Sequence, residues 1–267
     1  MKTGKITLIV LAVLLSLGFG LPETVHFGGE SAADGKVLTR NSTGTFEGYD
    51  YEFWTDVRPG SSDNKAIMVL TGGGSFTSEY DTTNGRNTLM RTGKKFARSR
   101  THEEVGDIVL RYDVDYEPEG QGASYMCVYG WTRKDNGAPL VEFYVVESWG
   151  AWRPPGDSGS LGLVTIGGIE YEIFETDRIN KPSIEGNTTF KQYWSIRTTK
   201  KGSGNIAETI NISDHFKVWE SKGLKMGTLY EVSLCIEGFN SRGKANIREN
   251  VITIDGVPLQ DIDGGSL

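Results

Sequence analysis

The run Leu140-Val141-Glu142-Phe143-Tyr144-Val145-Val146-Glu147-Ser148-Trp149-Gly150 is dense in the aromatic and β-branched residues that fit a pleated surface. Arg153-Pro154-Pro155-Gly156 follows and cannot continue a strand, so the run reads as a central β-strand. Side chains alternate along such a strand. Glu142, Tyr144, Val146 and Ser148 share one face, and Val141, Phe143, Val145, Glu147 and Trp149 the other. The second set is the more apolar, so Glu142 looks out of the core beside an aromatic hydroxyl.

A second strand answers it near the C-terminus. In Tyr230-Glu231-Val232-Ser233-Leu234-Cys235-Ile236-Glu237-Gly238, the residues Val232, Leu234 and Ile236 form the apolar face, and Glu237 points away from it. Two carboxylates on strands, flanked by aromatic residues, are the equipment of glycoside hydrolysis by an acid and a nucleophile. Alone, this pairing is weak, because the chain has 35 Asp and Glu residues to choose from.

Composition points the same way as the strands. Thirty-five glycines, 11 tyrosines and 6 tryptophans, with few helical patterns, imply many short strands and tight turns, as in a sandwich or jelly roll. Twenty-eight Lys and Arg against 35 Asp and Glu leave a net charge of −7 with no basic run, which argues against a nucleic-acid partner. Two cysteines make no disulfide scaffold, so a core must supply the stability; whether Cys127 and Cys235 pair stays open. Lys2 and Lys5, the apolar run Leu8 to Leu15, and small residues up to Pro22 have the order of a secretory signal, and the run is short for a membrane span. Residues 1–20 are therefore expected as a signal peptide and the protein as secreted, with no stable membrane association.

Other segments fill in the chain. Residues 21–45 read as a loose polar lead-in carrying the sequon Asn41-Ser42-Thr43. Strands are expected over Tyr49 to Asp56, Lys65 to Leu70, Ser75 to Tyr80, Arg86 to Arg91, Ser124 to Arg133, Phe190 to Arg197 and Ala245 to Ile254, with a hairpin turning at Gly167-Gly168. The acid-rich stretch Thr101 to Gly122 lacks the ligand spacing of a calcium loop and reads as a solvated surface strand and loop. Ser213 to Gly223 is the one expected helix, with Ser213 as N-cap, Phe216 and Trp219 on one face, and His215 as a buried structural residue. Residues 256–267 read as a short tail.

Four segments in order, Tyr129-Gly130-Trp131-Thr132-Arg133, Pro139 to Gly150, Pro182-Ser183-Ile184-Glu185-Gly186 and Ile236-Glu237-Gly238-Phe239, closely resemble the motifs of glycoside hydrolase family 11, the endo-1,4-β-xylanases. The resemblance runs from about Tyr49 to Ile254. It implies an all-β, single-domain jelly roll over residues 46–255, with two curved antiparallel sheets forming a cleft and one short α-helix. It implies a monomer acting on xylan without a cofactor or metal. Glu142 would be the nucleophile and Glu237 the acid/base of a retaining reaction. Trp54, Tyr129, Trp131, Tyr144, Arg178, Pro182 and Gln192 would bind substrate, Pro182 from a thumb hairpin curling over the cleft. Counting back from Arg91-Thr92-Gly93-Lys94-Lys95-Phe96 places Asn84 beside the acid/base, with Asn87 the runner-up. Tyr230 falls on the wrong face of its strand unless a bulge intervenes, and is left out. Phe143 and Phe239 stand where tyrosine is usual. A carbohydrate-binding module would share the architecture but needs no carboxylate pair; a β-glucanase is the nearer rival.

Overall fold

The computed structural model describes residues 35–262 apart from Arg98 and Ser158. The expected signal segment, residues 1–20, lies outside them. Sixteen strands and two helices follow in chain order: β1 (Lys36–Leu38), β2 (Ser42–Phe46), β3 (Tyr49–Thr55), β4 (Lys65–Gly72), β5 (Ser75–Asp81), β6 (Asn87–Lys95), α1 (His102–Val105), β7 (Ile108–Glu119), β8 (Ala123–Arg133) and β9 (Val141–Trp149). Then come β10 (Ser160–Ile166), β11 (Ile169–Ser183), β12 (Gly186–Arg197), β13 (Gly204–Asn211), α2 (Ile212–Ser221), β14 (Thr228–Phe239), β15 (Arg242–Ile254) and β16 (Val257–Pro258).

The strands make two sheets of a β-jelly roll. One has the order β1-β4-β5-β15-β7-β13, with β16 added to β15; the other has the order β10-β11-β12-β9-β8-β14-β6-β3-β2. Alternation decides which side of each strand meets the other sheet. In β7, Ile108, Leu110, Tyr112, Val114 and Tyr116 are buried while the acidic residues between them face outward, so this stretch is a core strand with one solvated face. Pairing is antiparallel as expected except between β12 and β9, which run parallel with Gln192 opposite Glu142.

Several boundaries differ from expectation. The lead-in contains β1 and β2, which pair with β4 and β3. Residues 257–258 pair with β15, and Leu259 is buried, so the start of the expected tail is packed. A second, four-residue helix, α1, carries a capping box between Thr101 and Glu104. In α2 the cap is Asn211, whose side chain accepts from Asp214 N at 3.0 Å, and not Ser213. Ser213 Oγ instead accepts from Ile108 N at 2.9 Å and ties the helix to β7.

Helix α2 backs the central strand. Phe216 and Trp219 lie 5.1 and 5.8 Å, ring to ring, from Phe143, which is fully buried between Glu142 and Tyr144 in sequence. An apolar ring therefore suits position 143. Gly130 is required beside it: a Cβ there would stand 2.0 Å from Glu231 O and 2.3 Å from the Phe143 ring. Within α2, His215 is buried against Tyr171 and Trp219, and burial pushes its imidazole down to about 3, so it stays neutral and structural.

A bulge also changes faces on the central strand. The β8–β9 register shifts between Met126 and Cys127, so Trp149 joins the cleft-side cluster with Tyr144 and Val146 and leaves the core face. Glu147, left in the core, is not an orphan charge. It accepts from Tyr112 Oη at 2.9 Å and Tyr171 Oη at 2.6 Å, and pairs with Arg197 at 2.7 Å.

Candidate active site

Glu142 leaves the cleft-facing side of β9 and Glu237 that of β14, with β8 running between the two strands. Both carboxyls line a cleft of about 880 Å³, and both residues are only 8 % exposed. The strands are held in place by the core, so neither acid depends on a mobile loop.

Each oxygen of Glu142 accepts a hydrogen bond. Tyr129 Oη donates to Oε1 at 2.8 Å and Gln192 Nε2 to Oε2 at 2.7 Å. Both donors are themselves oriented by indoles. Trp131 Nε1 donates to Tyr129 Oη at 2.6 Å. On the other side, Trp194 Nε1 donates to Thr176 Oγ1 at 3.0 Å, and Thr176 Oγ1 donates to Gln192 Oε1 at 3.0 Å. A carboxyl whose two oxygens both accept is set up for its ionised form. Burial pushes Glu142 above the usual carboxylate range, against the pull of Gln192, Tyr129 and the nearby Arg178 charge.

Glu237 is treated differently. Burial, and next the negative charge of Glu142, push its carboxyl up to about 8. Its Oε2 is buried with no hydrogen-bond partner, and so is Asn87 Oδ1. The Tyr144 hydroxyl lies within reach of both carboxyls, and the Asn87 side chain within reach of Glu237. At neutral pH the geometry thus favours one ionised and one protonated carboxyl in a shared site, the division of labour that acid and nucleophile chemistry needs.

Around the pair, Trp54, Tyr129, Trp131, Tyr144, Arg178, Pro182 and Gln192 all line the cleft. Pro182 sits where β11 turns into β12, a hairpin whose Ser183 and Ile184 also face the cleft. The profile of the family described as "Glycosyl hydrolases family 11" matches residues 46–248. The chain belongs to that family.

Similar proteins carry xylanase names. The chain is 43% identical over 222 residues to "Endo-1,4-beta-xylanase A" of Bacillus pumilus, covering 83% of this chain and 89% of the relative. It is 49% identical over 224 residues to "Endo-1,4-beta-xylanase A" of Thermoclostridium stercorarium, covering 84% of this chain but only 32% of that relative. The chain thus spans about a third of that longer protein. Among solved structures, the family 11 xylanase from Neocallimastix patriciarum superposes with a TM-score of 0.73 at 34% identity, covering 82% of this chain and 99% of the other.

Within this family 11 fold, one expected residue is displaced. Asn84 sits in a turn at φ 65°, where asparagine tolerates the left-handed backbone, and it does not line the cleft. Asn87, the runner-up, does. Sheet register explains the difference: β6 pairs with β14 so that Asn87, Thr88 and Leu89 oppose Phe239, Gly238 and Glu237, whereas Asn84 precedes the strand.

Tyr230 lines the cleft, contrary to strict alternation. The β14–β8 register shifts between Leu229 and Glu231, which is the bulge that alternation alone omits. A buried charge network also escaped sequence reading. Arg91 pairs through Nε with Glu231 Oε1 at 2.7 Å and through Nη2 with Glu52 Oε2 at 3.0 Å, and its guanidinium lies 4.7 Å from the Tyr129 ring centroid. Arg91 therefore braces the residue that donates to Glu142. Its position on the cleft face of β6 was the available signal. Cys127 and Cys235 lie directly opposite on β8 and β14, buried, and both are free thiols.

Proposed function

We propose that this protein is an endo-1,4-β-xylanase that cleaves internal linkages of xylan with retention of configuration. The observation that carries the proposal is the unequal carboxyl pair: Glu142 accepting at both oxygens, Glu237 raised to about 8 and partnerless at Oε2, in one cleft. Relatives named as xylanases support xylan as the substrate.

In this reading the ionised Glu142 attacks the anomeric carbon while Glu237 gives its proton to the departing glycosidic oxygen. A glycosyl ester forms on Glu142 and its charge disappears. The negative charge that raised Glu237 is then gone, so Glu237 becomes the stronger acid, and as a carboxylate it can take a proton from the water that attacks the ester. Tyr129 and Gln192 keep Glu142 aimed at the sugar, and Arg178 and Tyr144 are placed to hold sugar hydroxyls and the two carboxyls. The Trp54 ring offers a flat apolar face to the C–H side of a xylose ring, and Pro182 a lip above it. The same reading makes the protein a secreted monomer, exported by residues 1–20.

Reducing-sugar release from linear xylan by the wild type, Glu142→Gln and Glu237→Gln tests the assignment. Both variants should fold and lose several orders of magnitude in rate. Wild-type-like turnover in either one overturns the roles, and release from carboxymethylcellulose in preference to xylan overturns the substrate. Proton NMR of the first products should show the β anomer before mutarotation; initial α product would overturn retention.

A further inference from the structure

A second cavity, of about 290 Å³, opens beside the cleft, and Tyr230 is a wall of both. Its other walls include Lys95, Phe96, Ser99, Arg133 and Leu229, and among the described residues no acidic side chain lines it. A cationic cavity next to a polysaccharide cleft is unexpected in a chain of net charge −7.

The two cations are not equivalent. Lys95 Nζ is engaged, 2.5 Å from Glu52 Oε2 and 3.0 Å from Thr43 Oγ1. Arg133 is exposed and makes no ion pair among the described residues; its guanidinium lies over the Tyr230 ring, 4.5 Å from the centroid. Arg91, Arg153, Arg197 and Arg242, by contrast, each rest on a carboxylate. Stacking on a ring holds the guanidinium plane and leaves its N–H edge free, and that edge matches a carboxylate in a two-point fork. Phe96, Leu229 and Tyr230 supply apolar surface for the C–H face of a sugar, and Ser99 a hydroxyl. The volume lies at the lower end for small-molecule pockets and suits one ring better than a chain.

We propose that this cavity is a branch subsite: it takes a carboxylate-bearing sugar, a uronic acid substituent, hanging from the polysaccharide in the cleft, with Arg133 binding its carboxylate. The proposal rests on the reading of the cleft as a xylan site. It makes Arg133 a specificity residue that neither touches the reacting atoms nor affects unbranched chains.

Calorimetric binding to catalytically silent Glu142→Gln tests it, using xylo-oligosaccharides of one backbone length, either linear or carrying a single uronic acid at each position in turn. One acidic isomer should bind about tenfold more tightly than the linear oligosaccharide, as expected for a charge-assisted hydrogen-bonded pair. Adding Arg133→Met should erase that difference and leave linear affinity within twofold; Arg133→Lys should restore part of it. If no acidic isomer gains over the linear chain, or if Arg133→Met weakens both alike, Arg133 merely supports Tyr230 and the proposal fails. Failure of the underlying reading has a separate signature, the absence of binding by linear and branched oligosaccharides alike, and it overturns the branch subsite as well.

Discussion

Replacing Glu142 by glutamine should lower the pKa of a different residue, Glu237, by about two pH units. The carboxyl of Glu237 stands at about 8 against an ordinary 4.5, with burial as the first cause and the charge of Glu142 as the second. Two carboxyls at the roughly 5.5 Å spacing of retaining enzymes interact by about 3 kcal/mol at an effective dielectric of about 20, which is about two pH units. Glutamine keeps the shape and removes that charge. Glu237 should then titrate near pH 6, still above 4.5 because burial remains. Carbon NMR of protein labelled at the glutamate carboxyl, followed through pH in the wild type and in Glu142→Gln, reads this directly; in the wild type the steps belong to the coupled pair. An unchanged Glu237 midpoint in the variant would refute electrostatic coupling, and a wild-type midpoint near 4.5 would refute the assignment of Glu237 as the acid.

The raised carboxyl also has a cost in stability. Because Glu237 binds its proton more tightly folded than unfolded, stability falls as pH rises from about 4.5 to about 8, and is flat above that. Glu237→Gln should therefore gain on the wild type across that window, by up to a few kcal/mol at pH 9, in denaturant titrations; a pH-independent difference would contradict the shift. Tyr129→Phe removes the donor to Glu142 Oε1, so kcat/KM on xylan should fall about ten- to a hundredfold and the acid limb of the pH profile should move up; an unmoved limb would mean the hydrogen bond does not hold Glu142 ionised. Arg91→Met strands the buried Glu231 carboxylate and should cost about 3–5 kcal/mol by thermal or denaturant unfolding, and adding Glu231→Gln should recover part; a loss under 1 kcal/mol would show the network to be weakly coupled.

Alternation along the two key strands was enough to turn Glu142 and Glu237 out of the core, and the resemblance of short motifs added Trp54, Tyr129, Trp131, Tyr144, Arg178, Pro182 and Gln192, which line the cleft. These are local properties. A period of two belongs to any extended chain, so it is legible before any partner strand is known. What alternation missed lies at its interruptions. Tyr230 and Trp149 change faces at bulges, where one strand carries an extra residue relative to its partner. The charged stretch before β8 hid a core strand because its acidic residues, being the conspicuous ones, occupy only the outward face.

Residue types and their spacing alone established an all-β chain with two acids facing away from apolar strand faces. Which groups meet those acids was decided in three dimensions. Asn87 rather than Asn84 reaches Glu237 because β6 pairs with β14 in one register, and Gln192 reaches Glu142 because β12 runs parallel beside β9. Arg91 finds Glu231 across 140 residues of chain in the same way. Register and bulges are set by the packing of whole sheets against each other, so partners, and the pKa values they impose, are properties of the assembled fold rather than of any one strand.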